Sequence, residues 1–320
     1  MSTIRIGRLA AVLLLIAVLT VGVVALSACG SGDEETAASS SPAATAAGPI
    51  TVTDDSGIEV TLDAPAEAIV SLAPANTEIA FAIGAGEQMA AGTSYDDYPE
   101  EAKALPKIGD FANPNVEKIA SFNPDLVLAA AGLQDKVLTE LKELGVQVYV
   151  VDPKTYDGTI ATIGNIGKLA GAENGAAMVV EEMTAAKEEV QAAVGDLPAA
   201  TTFLEIYSKP LMTAGTGTFI DDMITIAGGE NIGAQAGSGF PSFSTEVLVK
   251  DDPQVYIADS GSMSEPGEIE KRAGFADLTA VKEGNVYVIE DSIIARPGPR
   301  LAEGLRQLVT MIHPEASTTE

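Results

Sequence analysis

The sequence has 320 residues, with 46 acidic and 18 basic side chains and a formal net charge of −28. So acidic a chain is repelled by a phosphate backbone, which argues against nucleic acid as a partner. The single cysteine excludes a disulfide, and the single histidine, His313, excludes a metal site built from imidazoles and thiolates. A serine nucleophile would have a histidine base only if His313 folded back into its site.

The first 28 residues predict a secretory signal peptide. Arg5 and Arg8 precede an apolar run over residues 9–26, and small residues then lead directly into Cys29. This segment resembles the bacterial lipobox, which implies that Cys29 carries a lipid anchor at the extracytoplasmic face of the membrane. An uncleaved transmembrane anchor is the alternative, because the apolar run is about long enough to span a bilayer. Residues 29–49 are small, polar or acidic and predict a flexible tether.

Alternating strand and helix signals predict an α/β lobe over residues 50–157. Its first segments alternate around an Asp-Asp-Ser-Gly turn and predict a β-hairpin. Apolar runs then predict strands at 68–72, 126–130 and 146–151, and periodic segments predict helices at 76–83, 117–122 and 136–144. Asn76 is the expected N-cap of the first helix. Such alternation is typical of a mainly parallel sheet covered by helices.

Residues 158–195 predict a connecting helix, because they are rich in helix formers and broken only around residues 171–175. A second α/β lobe is predicted over 196–314, followed by a tail at 315–320. Part of the first lobe recurs in it: Glu117 and Glu246 each stand seven residues before a proline and an apolar strand. Coincidence between ordinary βα units is the alternative, but the repeat favours two related lobes facing each other across a cleft.

Loops at the carboxyl ends of the predicted strands hold the candidate ligand-binding residues. Aromatic side chains are scarce, yet Tyr95, Tyr98 and Phe111 fall in one loop region of the first lobe, and Phe240 and Phe243 fall in its counterpart. Rings at a cleft suit a flat or bulky ligand. The alternative is that these rings close the ends of each lobe's core.

Charged side chains give two further hypotheses. Arg296 lies in a Pro/Gly loop, where it would contact a ligand carboxylate or amide, whereas Arg300 at the following helix start predicts a structural salt bridge. Glu78 and Glu246 each follow an expected N-cap by two residues, where an acid stabilises the helix dipole. A role for both in docking would require exposure on the same face of the molecule.

Several segments, in their order and spacing, resemble the substrate-binding proteins of ABC importers for vitamin B12 and iron siderophores, and most strongly the cobalamin binders. The resemblance covers essentially the whole predicted mature domain. Its segments are Ser-Leu-Ala-Pro-Ala-Asn-Thr-Glu-Ile-Ala-Phe at 71–81, Thr-Ser-Tyr-Asp-Asp-Tyr-Pro-Glu-Glu-Ala at 93–102, Asn-Val-Glu-Lys-Ile at 115–119, Pro-Asp-Leu-Val at 124–127, Gly-Gly-Glu-Asn-Ile at 228–232, Ser-Thr-Glu-Val-Leu at 244–248 and Pro-Arg-Leu at 299–301.

The resemblance implies two Rossmann-like lobes, joined by one long rigid helix, with the ligand between them. It implies that Glu78 and Glu246 dock, one per lobe, onto arginines of an ABC permease dimer that works with ATPase subunits. It further implies a monomeric binding protein with no catalytic residue and no resident cofactor or metal. A surface enzyme or an adhesion module on the same scaffold is the rival hypothesis.

The implied cargo is a metal chelate, either cobalamin or a ferric siderophore, with haem as the alternative. Tyr95 matches a ligand-stacking tyrosine, and Arg296 matches a basic residue in the last cleft loop. Phe111 and Phe240 stand where cobalamin binders often carry tryptophan, and Met212 stands where they carry phenylalanine, so these positions bear on which chelate is bound. The full set of implied ligand contacts is Pro74, Tyr95, Asp96, Phe111, Met212, Phe240 and Arg296.

Overall fold

A computed structural model describes residues 48–132, 134–261 and 266–316, all within one structural unit of the chain. The predicted signal peptide, Cys29 and all but the end of the predicted tether lie outside the described residues, as does most of the predicted tail. Within the described ranges, no helix combines the length and the apolar composition needed to cross a bilayer.

The first lobe is a four-stranded parallel sheet with helices on it and a hairpin beside it. Its strand order is β4-β3-β5-β6, and β1 pairs with β2 in the antiparallel hairpin. The strands are β1 (Ile50–Thr53), β2 (Glu59–Leu62), β3 (Ile69–Ser71), β4 (Met89–Ala91), β5 (Leu126–Ala130) and β6 (Val148–Val151). The helices are α1 (Pro74–Ala82), α2 (Val116–Ser121), α3 (Asp135–Glu143) and α4 (Tyr156–Leu169), with 3₁₀ turns at Gly86–Gln88 and Glu100–Ala104.

The sheet forms because its central strand is apolar on both faces. Leu126 and Leu128 pack in one core cluster, while Val127 and Ala129 pack in another on the opposite face. A strand covered on both sides has a continuous apolar run rather than an alternating one, as the sequence of β5 predicted. The strand predicted at 126–130 is therefore confirmed. Successive side chains of a strand point to opposite faces of the sheet, and here both faces are apolar.

The second lobe repeats this arrangement. The strands are β7 (Ala200–Ser208), β8 (Leu211–Thr213), β9 (Gly229–Asn231), β10 (Val255–Asp259) and β11 (Val286–Ile289). The helices are α6 (Phe219–Ile226), α7 (Thr245–Asp251), α8 (Thr279–Glu283), α9 (Asp291–Ile294) and α10 (Leu301–Ile312), with 3₁₀ turns at Ile232–Ala236, Pro266–Lys271 and Phe275–Asp277. All strand pairs are parallel except β7 with the added strand β8.

Corresponding strands occupy the same places in the two sheets. The order β4-β3-β5-β6 in the first lobe matches β9-β7-β10-β11 in the second, and the strands form separate sheets. In the chain, α1 stands between β3 and β4 as α6 stands between β8 and β9, and α2 precedes β5 as α7 precedes β10. This equivalence of elements supports the prediction of two related lobes.

The helical segment between the lobes differs in detail from the prediction. Residues 158–195 were expected to form one helix, but the structure has α4 and then α5 (Glu173–Val194), separated by a turn in which Gly171 has a φ of 64°. The 22 residues of α5 span about 33 Å. Helix α5 packs on α1 and α4 of the first lobe and on α6 and α10 of the second, so it is the element that both lobes share.

Helix α1 also begins earlier than predicted. Its first residue is Pro74 and its N-cap is Ala73, so Asn76 lies inside the first turn and is not the cap. Proline is favoured at a first helical position, because its fixed φ is already helical and its missing N–H has no partner there. The predicted cap of α7 is correct, since the Ser244 hydroxyl accepts a hydrogen bond from the backbone N–H of Val247.

Candidate ligand-binding cleft

A cleft of about 650 Å³ lies where the two lobes meet. The first lobe supplies the start of α1, the loops after it and the ends of β5 and β6, and the second lobe supplies the start of α9 and the residues that follow this helix. The lining residues are Ala73, Pro74, Ala75, Asn76, Tyr95, Asp110, Phe111, Ala112, Ala130, Val151, Asp291, Ala295, Arg296 and Pro297. The cleft therefore sits at the carboxyl ends of the first-lobe strands, where parallel sheets bind ligands.

Four of the seven predicted ligand contacts line this cleft: Pro74, Tyr95, Phe111 and Arg296. The Tyr95 side chain is 59% exposed, an unusual degree of exposure for a large ring. A rigid ring on open surface is well suited to stack on a ligand, since it supplies apolar area at a small cost in entropy.

Asp96 does not line the cleft. It is only 3% exposed, and its carboxylate accepts hydrogen bonds from the Thr77 hydroxyl at 2.7 Å and from the Thr93 backbone N–H at 3.0 Å. The Thr93 hydroxyl also donates to it. Asp96 therefore fixes the loop that carries Tyr95, and its carboxylate is buried away from the cleft surface. The sequence placed it next to Tyr95 but gave no sign of these partners.

Met212 and Phe240 lie together in another part of the second lobe. Met212 is on β8 and forms a bridge with Ser242, and the backbone of Thr213 donates to the carbonyl of Pro241 at 3.2 Å. Phe240 is 48% exposed. Neither side chain lines the cleft, so the structure does not bring these two predicted contacts together with Tyr95 and Arg296.

Arg296 joins the lobes through an ion-pair cluster. Its guanidinium donates to Glu78 Oε1 at 2.8 Å and to Asp97 Oδ1 at 2.7 Å, and both acids belong to the first lobe. Burial disfavours the charge on Arg296, but the hydrogen bonds to Asp97 and Glu78 outweigh it and raise the pKa of Arg296. The hydrogen bond from Arg296 in turn lowers the pKa of Asp97.

Arg300 completes this cluster. It donates from Nε to Glu78 Oε2 at 2.9 Å and from Nη2 to Glu78 Oε1 at 2.7 Å, a two-pronged arrangement that suits the planar guanidinium. Its guanidinium also lies 4.2 Å from the centre of the Tyr98 ring. The predicted structural salt bridge of Arg300 is thus present, and its acceptor is in the other lobe.

Glu78 is therefore not available to a partner. It is 3% exposed and is held by two arginines, so the exposure that docking requires is missing. Glu246, by contrast, is exposed in the first turn of α7. Sequence reasoning treated these two glutamates as equivalents because each follows an expected cap, but α1 and α7 are not corresponding helices.

Three polar residues of the cleft were not among the predicted ligand contacts. Asn76, Asp110 and Asp291 line it, and Asp291 also neighbours the buried Asp259 at the end of β10. Burial raises the pKa of Asp259 to about 7, and the nearby Asp291 carboxylate adds to the rise. The signal that could have indicated them is position, since Asp259 is the last residue of β10 and Asp291 is the first residue of the helix that follows β11.

The single histidine lies elsewhere. His313 is 3% exposed, its Nε2 is 3.1 Å from the carbonyl oxygen of Gly228, and its Nδ1 is 3.4 Å from Glu315. It does not line the cleft. The arrangement in which His313 would serve a serine nucleophile there is therefore absent from the described residues.

A family model described as periplasmic binding protein matches residues 69–293, which is most of the chain. The chain belongs to the periplasmic binding protein family. An uncharacterized ABC transporter substrate-binding lipoprotein of Bacillus subtilis is 33% identical over 275 residues, covering 83% of this chain and 86% of the relative. That relative's name associates this type of periplasmic binding protein with ABC transport.

Solved structures of the family show the same fold. The periplasmic vitamin B12 binding protein of Vibrio cholerae superposes with a TM-score of 0.70 at 28% identity, covering 78% of this chain and 97% of that one. A possible iron-binding periplasmic solute-binding protein of Staphylococcus epidermidis gives a TM-score of 0.67 at 34% identity, covering 78% and 100%. The predicted two-lobe α/β fold is confirmed, and these relatives are named as binding proteins rather than enzymes.

Proposed function

We propose that this chain is the extracytoplasmic substrate-binding lipoprotein of an ABC importer, which captures a metal chelate in the cleft between its lobes. Cobalamin and ferric siderophores are the proposed cargo. The observation that carries the proposal is the cleft itself, about 650 Å³ in volume, lined by the exposed Tyr95 of the first lobe and by Arg296 of the second. Such a site holds its ligand by enclosing it and needs no catalytic group.

Cys29 is the proposed attachment point to the membrane. Its position directly after the small residues of the signal segment supports diacylation, and two acyl chains give stable anchoring where one would not. Residues 30–49 would then act as a tether that lets the folded part of a monomer reach the permease dimer.

Glu117 and Glu246 are the proposed contacts with the permease, in place of Glu78. Helices α2 and α7 correspond in the two lobes, and each carries its glutamate as the second helical residue after a capping side chain, Asn115 or Ser244. Both glutamates are exposed. Two exposed carboxylates at equivalent places, one per lobe, would fit a pair of basic sites on a permease dimer.

Ligand capture is tested by titrating the purified full-length chain, in detergent, with cyanocobalamin and with coloured ferric chelates, and following co-elution. Binding of at least one chelate is expected, with no chemical change in the recovered ligand. Turnover of a bound chelate would favour the rival enzyme, and failure of every chelate to bind would refute the proposed cargo.

Docking is tested by uptake in cells. Glu117→Ala combined with Glu246→Ala is expected to abolish uptake and to leave chelate affinity unchanged, because neither residue lines the cleft. Glu143→Ala combined with Glu283→Ala is the matched control, since these exposed glutamates end the corresponding helices α3 and α8. Normal uptake by the first double variant would refute the docking role.

A further inference from the structure

The positive charge of the cleft is already neutralised by the protein. Among the described lining residues, Arg296 is the one cationic side chain, and it holds two carboxylates, Glu78 at 2.8 Å and Asp97 at 2.7 Å. Its side chain is 18% exposed. A negatively charged ligand would have to displace an acid that is already in hydrogen-bonding contact with Arg296, in a chain of net charge −28.

The remaining charged groups of the cleft are acids. Asp110 and Asp291 both line it, and neither forms an ion pair with any Lys, Arg or His in the described ranges. Asp110 accepts a hydrogen bond from the backbone of Asn113 at 2.6 Å, and Asp291 neighbours the second acid Asp259. The two sides of the cleft thus present carboxylates without compensating cations.

A neutral hydrogen-bonding group lies among these acids. Asn76 is 1% exposed and lines the cleft, and neither its amide oxygen nor its amide nitrogen has a hydrogen-bond partner. A buried amide without partners is costly, and a ligand that supplies a donor and an acceptor would remove that cost. This group lies in the first turn of α1, beside Pro74, and is suited to recognise an amide of a ligand.

We propose that the cleft selects a chelate that is uncharged or positively charged and that carries amide-like groups, and that it rejects negatively charged chelates. This inference rests on the proposed binding function and narrows its cargo. The neutralised Arg296, the uncompensated Asp110 and Asp291, and the unpartnered amide of Asn76 all favour the same class of ligand. The carboxylates of haem and of anionic siderophore complexes would meet like charge in this cleft.

Four probes test this selection on the full-length chain by fluorescence or calorimetric titration: cyanocobalamin, a positively charged ferric trihydroxamate, a negatively charged ferric tricatecholate, and haemin with its propionates. We expect cyanocobalamin or the trihydroxamate to bind at least about tenfold more tightly than either anionic probe. An anionic probe that bound most tightly would overturn the inference and leave the importer role standing. Absence of binding by all four would overturn both.

Charge variants locate the effect in the cleft. Asp110→Asn with Asp291→Asn is expected to strengthen binding of the ferric tricatecholate by about tenfold and to weaken binding of the trihydroxamate. Asp63→Asn with Asp196→Asn, at two exposed acids outside the cleft, is the control for net charge and should leave both affinities unchanged. Equal effects of these variants would show that the cleft acids do not select the ligand.

Asn76→Ala tests the amide. Because the amide has no partner in the protein, its removal is expected to leave thermal stability unchanged or raised, while affinity for the bound probe falls about tenfold. A lower stability with unchanged affinity would indicate a structural asparagine and would remove Asn76 from the proposed recognition.

Discussion

Glu78 in α1 and Glu246 in α7 show how one local sequence signal can lead to two different environments. Each acid lies near the start of a helix, where it stabilises the helix dipole. Glu78 is 3% exposed between Arg296 and Arg300, whereas Glu246 is exposed and makes no ion pair with a described residue. The difference comes from topology, because α1 starts at the carboxyl end of β3, next to the other lobe, while α7 lies ahead of β10.

The lobes accordingly contribute unlike chemistry to their shared boundary. The first lobe supplies the acids Glu78 and Asp97 and the ring of Tyr98, and the second supplies the arginines that they hold. In one further contact the acid belongs to the second lobe: Asp222 of α6 accepts a hydrogen bond from the backbone N–H of Tyr156 at 2.8 Å. These contacts, with the shared helix α5, oppose independent motion of the lobes.

The largest effect on stability is expected from substituting Glu78, the buried one of the two glutamates. Glu78→Gln would leave the guanidinium of Arg300 with only Glu290, at 4.0 Å, and that of Arg296 with Asp97 alone, which should lower the free energy of unfolding by about 3 kcal/mol. Urea denaturation at neutral pH measures it.

Glu246→Gln is the control for that measurement and should change the free energy of unfolding by less than about 0.5 kcal/mol, because it removes an exposed acid. If both variants lost the same free energy of unfolding, the buried ion pairs of Glu78 would contribute no more to stability than the exposed carboxylate of Glu246.

Much of this fold follows from local pattern, because strands such as β5 and β6 are continuous apolar runs and the chain's glycines end several helices. The site was predicted less well. Tyr95, Phe111 and Arg296 were found because scarce residue types stood in loops after strands, whereas Asp96 and Glu78 depend on partners that are distant in sequence or in the other lobe. Glu117 was visible as the counterpart of Glu246 in the repeat spacing, but similarity of caps favoured Glu78.

A second contrast concerns two acids near the cleft, Asp259 of the second lobe and Asp97 of the first. The pKa of Asp259 is raised to about 7, so between about pH 4 and pH 7 the folded state binds more protons than the unfolded state, and stability falls as pH rises. Asp259→Asn removes the cost of ionising this buried carboxyl. The variant should therefore be more stable than the wild type at pH 8, by about 2 kcal/mol, and the difference should shrink toward pH 4.

Asp97→Asn should show the reverse dependence. Arg296 lowers the pKa of Asp97 below 3.8, so its contribution to stability is present at neutral pH and is lost only as pH falls through that lowered pKa. Thermal melts of both variants from pH 3 to pH 8 measure the two trends. Parallel pH profiles would contradict the assigned environments.

The smallest effect is expected on ligand affinity, and it is tested by comparing an aromatic side chain of each lobe. Tyr95→Ala should weaken binding of whichever chelate co-elutes by about tenfold, near 1.4 kcal/mol, because an exposed ring of the cleft wall is lost. Phe240→Ala should leave affinity unchanged, since that ring is exposed but does not line the cleft. Titration of both variants with the same chelate decides the matter. An equal loss in both would mean that the bound state brings the segment of Met212 and Phe240 onto the ligand, so that the lobes close further than the contacts of Arg296 with Glu78 and Asp97 now hold them.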